Sequence, residues 1–229
     1  MHYYPLFLDL SQARILLAGA GEVGRRKAGD LLAVGPKALL WLDPAVPPQD
    51  LPADLVAHPA LEYAQREARP RDLSGRALVF AATGSAEANL RLARQCREQG
   101  IFCNVADAPD EGNFMVPTHF YQDGFCLALS TAGQSPALAR QMRRELQDWY
   151  QDRYSAMLTL LGRLRPLILR QIPGKENSGC RAELFRNLAQ SALTEALQDK
   201  DRAGTERLLR DLLPEKLHKQ IEDLLHDLY

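Results

Sequence analysis

Arg14-Ile-Leu-Leu-Ala-Gly19-Ala-Gly21-Glu-Val-Gly24-Arg-Arg-Lys-Ala28 decides the fold. A short apolar run, Ile15–Ala18, leads straight into Gly-x-Gly-x-x-Gly, and a helical segment over Glu22–Ala33 follows. In that strand–turn–helix setting Gly19 permits the tight turn, Gly21 leaves room for a pyrophosphate, and Gly24 lets the helix close on its strand. The exposed N–H groups and positive dipole end of the helix then hold the phosphates. A second strand, Ala38–Leu42, ends in Asp43, 19 residues beyond Gly24. At that spacing a carboxylate accepts hydrogen bonds from an adenosine ribose, and its charge repels a 2′-phosphate. The expected cofactor is NAD rather than NADP, held by Gly19, Ala20, Gly21, Glu22, Val23, Gly24 and Asp43.

Outward from this core the alternation continues. Leu6–Leu10 reads as a short edge strand or a lead-in segment, and Asp43–Pro48 as a loop, because proline lacks a ladder donor. Leu61–Tyr63 is a weak strand candidate and Ala77–Ala82 a strong one. Ser85 caps a helix over Ala86–Gln99, and Ile101–Val105 is the next strand. Repeated strand–helix–strand units imply a parallel sheet with helices on both faces. Beyond residue 117 the pattern changes. Gly124–Leu129 reads as a strand, Ser130–Ser135 as a polar loop, and Ser135-Pro136 as a helix start reaching Trp149 or beyond. The tail is Leu-, Arg- and Glu-rich with helical spacing. Pro166, Pro173-Gly174, Ser178-Gly179, Gly204 and Pro214 are expected to break it into three or four helices. The expected division is 1–116 (Rossmann), 117–150 (central segment) and 151–229 (helical).

Composition excludes several function classes. Lys+Arg 28 against Asp+Glu 29 leaves no basic footprint for nucleic acid. The N-terminus has no signal-peptide pattern, and no stretch approaches the roughly 18 apolar residues of a membrane span, so a cytoplasmic protein is expected. Cys96, Cys103, Cys126 and Cys180 form no C-x-x-C pair and read as buried thiols. No preformed metal site is encoded.

Two clusters carry chemistry. Asn104-Val105-Ala-Asp107-Ala-Pro109 follows a parallel strand, where ligands of open α/β sheets bind. Asp107 there could accept a proton while hydride leaves for NAD, or could simply cap the following turn. The second cluster, Ser130-Thr131-Ala-Gly133-Gln134-Ser135-Pro-Ala-Leu-Ala-Arg140, sets hydroxyl groups and a glycine before a helix, with Arg140 and Arg144 on one helix face. Guanidinium groups pair with carboxylates, so this face suits a polycarboxylate or is a solvated basic face. His119 reads as a structural or loop residue.

Tyr4-Pro-Leu-Phe-Leu-Asp-Leu10, the glycine segment through Ala28, Ala81-Ala-Thr83, Asn104–Pro109 and Ser130–Arg140 occur in a collinear order that closely resembles the precorrin-2 dehydrogenase family, which includes the N-terminal part of siroheme synthase. The resemblance covers residues 3–145 and is loose over the tail. It implies an NAD-binding Rossmann domain, a central dimerisation segment and a helical domain in a homodimer. The implied reaction is NAD-dependent oxidation of precorrin-2 to sirohydrochlorin. Asp107 matches the family's acid/base; Thr83, Asn104 and Val105 complete the cofactor cleft. Ser130, Thr131, Gly133, Gln134, Ser135 and Arg140 meet a substrate bearing eight carboxylates. Some members also insert ferrous iron. Thr131 stands where some relatives carry a phosphorylatable serine, and Gly84 where an acid is usual. With the sequence running to Tyr229, no methyltransferase domain is expected on it, and precorrin-2 is expected from a separate protein. A reading of a different class is a non-catalytic NAD-sensing module, which would need the glycines and Asp43 but neither Asp107 nor the Ser/Gly/Arg cluster.

Overall fold

The computed structural model describes residues 3–229 and divides them into two compact units, up to Val116 and from Pro117 onward. The first unit holds five parallel strands, β1 (Arg14–Ala18), β2 (Ala38–Leu42), β3 (Leu61–Ala64), β4 (Leu78–Ala81) and β5 (Phe102–Val105), in the order β3-β2-β1-β4-β5. The order reverses at β1, so the loops after β1 and β4 part on either side of a crevice. Helix α1 (Glu22–Ala33) follows β1, the short α2 (Ala53–Val56) precedes β3, and α3 (Ala86–Glu98) joins β4 to β5.

Period-two alternation along these strands sorts two apolar layers. Leu16, Ala18, Leu40, Leu42, Val79, Ala81, Cys103 and Val105 pack on Leu92, Ala93 and Cys96 of α3. Ile15, Leu17, Leu39, Trp41, Leu78 and Phe80 pack on Ala28, Leu31 and Leu32 of α1. Because both faces are covered, the strands read as continuous apolar runs rather than alternating ones. Ala18 is in register with Leu42 and Ala81, and Ala81 with Val105. Gly19, Asp43, Thr83 and Asp107 therefore leave the sheet along one edge.

Leu6–Leu10 is a lead-in segment without strand pairing, anchored where the Leu10 carbonyl accepts the Ala13 and Lys37 N–H groups at 2.9 and 3.2 Å. Of the four thiols, Cys96 and Cys103 are buried; Cys126 is partly exposed and Cys180 exposed, a correction to the expectation that all four are interior. Cys180 lies in the first turn of a peripheral helix whose apolar contacts come from residues further along, among them the buried Leu188.

In the second unit, β6 (Thr118–Gln122) and β7 (Phe125–Leu129) form an antiparallel hairpin. Its turn, Asp123-Gly124, takes φ of 50° and 82°, the positive pair that a two-residue hairpin favours. Sequence patterning finds β7 but not β6. The hairpin's Phe125 stacks on Tyr150 at 4.2 Å, holding it to α4 (Pro136–Gln171), and the expected boundary at 150/151 falls inside that helix. The remaining elements include α5 (Ser178–Gln190), α6 (Leu193–Gln198), α7 (Arg202–Leu212) and α8 (Ile221–Leu224).

Three expected breakers do not break helices. Pro166 lies inside α4, where it lacks the N–H that would reach the Gly162 carbonyl. Leu160, Leu164 and Ile168, wholly buried at four-residue spacing, hold the helix across it. Ser178-Gly179 opens α5. Gly204 sits in the first turn of α7, donating its N–H to the capping Asp201 Oδ1 at 2.9 Å. No helix of the described residues is long and apolar enough to cross a membrane.

Candidate active site at the carboxyl edge of the sheet

Gly19 turns with φ +105°, and a Cβ on it would lie 2.1 Å from the Ala82 carbonyl oxygen. A Cβ on Gly24 would lie 2.0 Å from the Gly19 carbonyl oxygen, so α1 rests directly on the turn. Gly21 has nothing within 4 Å of its Cβ position. It is the N-cap of α1 and supplies no side-chain cap, while Glu22 and Val23 of the first turn are exposed. Two glycines are thus fixed by protein packing, and the third faces open space beside uncapped backbone donors. That is the cradle a dinucleotide pyrophosphate needs, and the residues fit NAD.

Side chains fix this cradle from below and from the side. The buried Trp41 Nε1–H donates to the Gly19 carbonyl at 2.8 Å. Asp43 Oδ2 accepts the Ala20 N–H at 2.7 Å, and Oδ1 accepts the Ala45 and Val46 N–H groups at 2.8 and 3.0 Å. The carboxylate expected to meet the ribose therefore also joins the glycine turn to the loop after β2. Tyr63, whose hydroxyl donates to the Val46 carbonyl, has its pKa raised by burial and by the charge of Asp43.

On the other side of the switch point, Asn104 is committed. Its Oδ1 accepts from Lys27 Nζ at 3.0 Å and its Nδ2 donates to the Phe114 carbonyl at 3.2 Å. Lys27 lies 5.0 Å above the Phe80 ring, and burial, then Arg26, lowers its pKa. The Val105 side chain sits in the α3-side core, leaving only its backbone toward the edge.

Asp107 is exposed, and its Oδ1 accepts from Asn89 Nδ2 at 2.9 Å. The same Asn89 engages Thr83: its Oδ1 accepts the Thr83 N–H at 3.1 Å and the Thr83 hydroxyl at 2.7 Å, and its Nδ2 donates to the Thr83 carbonyl at 3.2 Å. Sequence reasoning names Thr83 and Asp107 but misses Asn89, Trp41 and Lys27. A signal for Asn89 exists: 89, 92, 93 and 96 share one helical face, and the other three are apolar.

The Ser130–Ser135 cluster belongs to the second unit. Ser130 Oγ accepts the Ala132 N–H at 3.0 Å, and Thr131 Oγ1 accepts the Ser135 N–H at 3.1 Å. Gln134 donates its N–H to the Thr131 carbonyl at 3.0 Å, Gly133 turns with φ +83°, and Ser135 Oγ caps α4 through the Leu138 N–H at 3.2 Å. Arg140 and Arg144 are exposed on α4. His119 Nδ1 lies 3.1 Å from the Pro117 carbonyl, a local bond within its own segment. Among the described residues no group of three or more His, Cys, Asp or Glu side chains is placed to hold a metal.

Residues 6–118 match the family described as "Putative NAD(P)-binding". Siroheme synthase 1 of Aeromonas salmonicida (strain A449) is 31% identical over 226 residues, which is 98% of this chain and 47% of that protein. Siroheme synthase 3 of Aeromonas hydrophila subsp. hydrophila is 34% identical over 165 residues, 72% of this chain and 35% of that protein. This chain spans about half or less of the length of the curated relatives it matches. The solved structure of "SirC, precorrin-2 dehydrogenase" matches with a TM-score of 0.72 at 22% identity, over 92% of this chain and 98% of that one, and shares the fold.

Proposed function

We propose that this chain, 31% identical to siroheme synthase 1 of Aeromonas salmonicida over 226 residues and carrying a match to the NAD(P)-binding model, catalyses NAD-dependent dehydrogenation of precorrin-2 to sirohydrochlorin, a step of siroheme biosynthesis. The observation that carries the reading is the row of groups on one sheet edge. The glycine turn and Asp43 lie at one side of the switch point, and Thr83 with the tethered Asp107 at the other. A non-catalytic sensing module has no use for the second half of that row.

Bound NAD⁺ supplies the hydride acceptor. Gly19, Ala20, Gly21, Glu22, Val23 and Gly24 provide the turn and helix start for its pyrophosphate, Asp43 meets the ribose, and Thr83, Asn104 and the Val105 backbone border the reacting end. Asp107 takes up the proton that the macrocycle loses along with its hydride. Its free carboxylate oxygen is the acceptor, because Oδ1 is engaged by Asn89. Ser130, Thr131, Gly133, Gln134, Ser135 and Arg140 receive substrate carboxylates, backbone donors and a guanidinium suiting such groups. The protein is assigned to the cytoplasm and to a homodimer.

An anaerobic absorbance assay with NAD⁺ and precorrin-2 tests the reading. Sirohydrochlorin should form with stoichiometric NADH, and Asp107→Ala should keep NAD⁺ binding while losing roughly 100-fold or more in turnover. Parental turnover in that variant would remove Asp107 from the mechanism. Adding ferrous iron to the same cuvette reads out metal insertion, and light scattering reads the dimer.

A further inference from the structure

We propose that Asn89 is a positioning residue for this reaction, its amide holding the Asp107 carboxylate and the Thr83 turn as one unit. The inference rests on Asp107 being the proton acceptor. Asn89 is 1% exposed, on the α3 face it shares with Leu92, Ala93 and Cys96, where an apolar side chain would be the ordinary occupant. A primary amide buried there demands partners, and this one uses all its capacity. Two donors reach Asp107 Oδ1 and the Thr83 carbonyl; the oxygen takes the Thr83 N–H and hydroxyl.

The consequence is geometric. Thr83 and Asp107 sit on the loops after β4 and β5, which no strand pairing beyond Ala81 and Val105 keeps in register. Among the described residues, Asn89 is the side chain that bridges both. Its N–H on Oδ1 fixes the carboxylate's rotation and directs the incoming proton to Oδ2. A misplacement of about 1 Å at such a group costs on the order of 100-fold in rate.

The decisive experiment is a double-mutant comparison. Asn89→Ala should lower kcat roughly 10- to 100-fold in the parental protein but less than about twofold in the Asp107→Asn background, since a residue acting through Asp107 has nothing left to position. Asn89→Asp covers the case in which the alanine variant does not fold. It keeps an oxygen for the Thr83 N–H and hydroxyl while losing the donor to Asp107, so it should lower kcat by a similar factor with the KM for NAD⁺ within about threefold. Equal losses in both Asp107 backgrounds, or none in either, overturn the proposal. Carboxyl ¹³C NMR supplies a readout independent of turnover: the resonance that disappears in Asp107→Asn should move in both Asn89 variants, and an unmoved resonance overturns the contact. If the parental protein fails to oxidise precorrin-2, the functional reading falls, and this resonance still decides whether Asn89 orders the carboxylate.

Discussion

Gly19, Gly21 and Gly24 differ only in surroundings, and the same added methyl group separates their roles. At Gly19 and Gly24 it meets backbone oxygen at 2.1 and 2.0 Å, so Gly19→Ala and Gly24→Ala should each destabilise the fold by several kcal/mol on thermal melting. At Gly21 it meets no protein atom. Gly21→Val should melt within about 1 kcal/mol of the parent yet bind NAD⁺ at least about tenfold more weakly, read by quenching of tryptophan fluorescence. Comparable melting losses for all three would place the open glycine inside the packing. Asp72 shows the complementary electrostatic case. It accepts from Arg66 at 2.6 and 2.9 Å and from the Arg69 N–H at 2.8 Å, and the Arg66 bond chiefly holds its pKa below 3.8. Its folded-state value is thus lower than its unfolded one, so the stabilisation is complete above pH 3.8 and is lost as pH falls through the folded pKa. Asp72→Asn should cost about 1–3 kcal/mol at neutral pH, and the gap from the parent should close in acid denaturation series below pH 3.8.

At the level of elements, legibility follows whether a signal is local. The Glu22–Ala33 helix, the Ser85 cap and the Ser135-Pro136 start are written in contiguous residues, and each stands where its pattern puts it. Asp43 is legible because the ribose spacing is fixed by one strand–helix–strand unit. Asn89 is legible only in part: its place on the apolar face with 92, 93 and 96 is a local signal, but its partners lie 6 and 18 residues away and nothing local names them. Lys27 meeting Asn104, 77 residues on, is equally silent. Strand β6 is hidden because only Phe120 of its five residues is buried, leaving little alternation to read. Pro166 misleads for the opposite reason: a strong local veto is overridden by tertiary burial on either side of it. Its ring is exposed, so Pro166→Ala restores a backbone donor without removing packing. That variant should raise stability by about 1–3 kcal/mol in urea titration; a loss would mean the ring itself is packed.

In the whole molecule, both apolar layers of the sheet draw on residues between Leu10 and Phe114 alone, and the helical unit has its own core from Ala156 to Leu228. A chain ending at Val116 should therefore unfold cooperatively and bind NAD⁺ within about tenfold of the full protein while showing no turnover; a molten truncation would refute that autonomy. The similarity to siroheme synthase 1 of Aeromonas salmonicida extends over both units, with 31% identity across 226 residues. The three backbone bonds made by Asp43 carry a last implication, for cofactor exchange. A carboxylate offers about four lone-pair directions, and the chain itself occupies three. Replacing it to admit a 2′-phosphate would also unfasten the phosphate turn, so a change of nucleotide preference in this scaffold demands a concerted rebuild of the loop after β2 rather than one exchanged side chain.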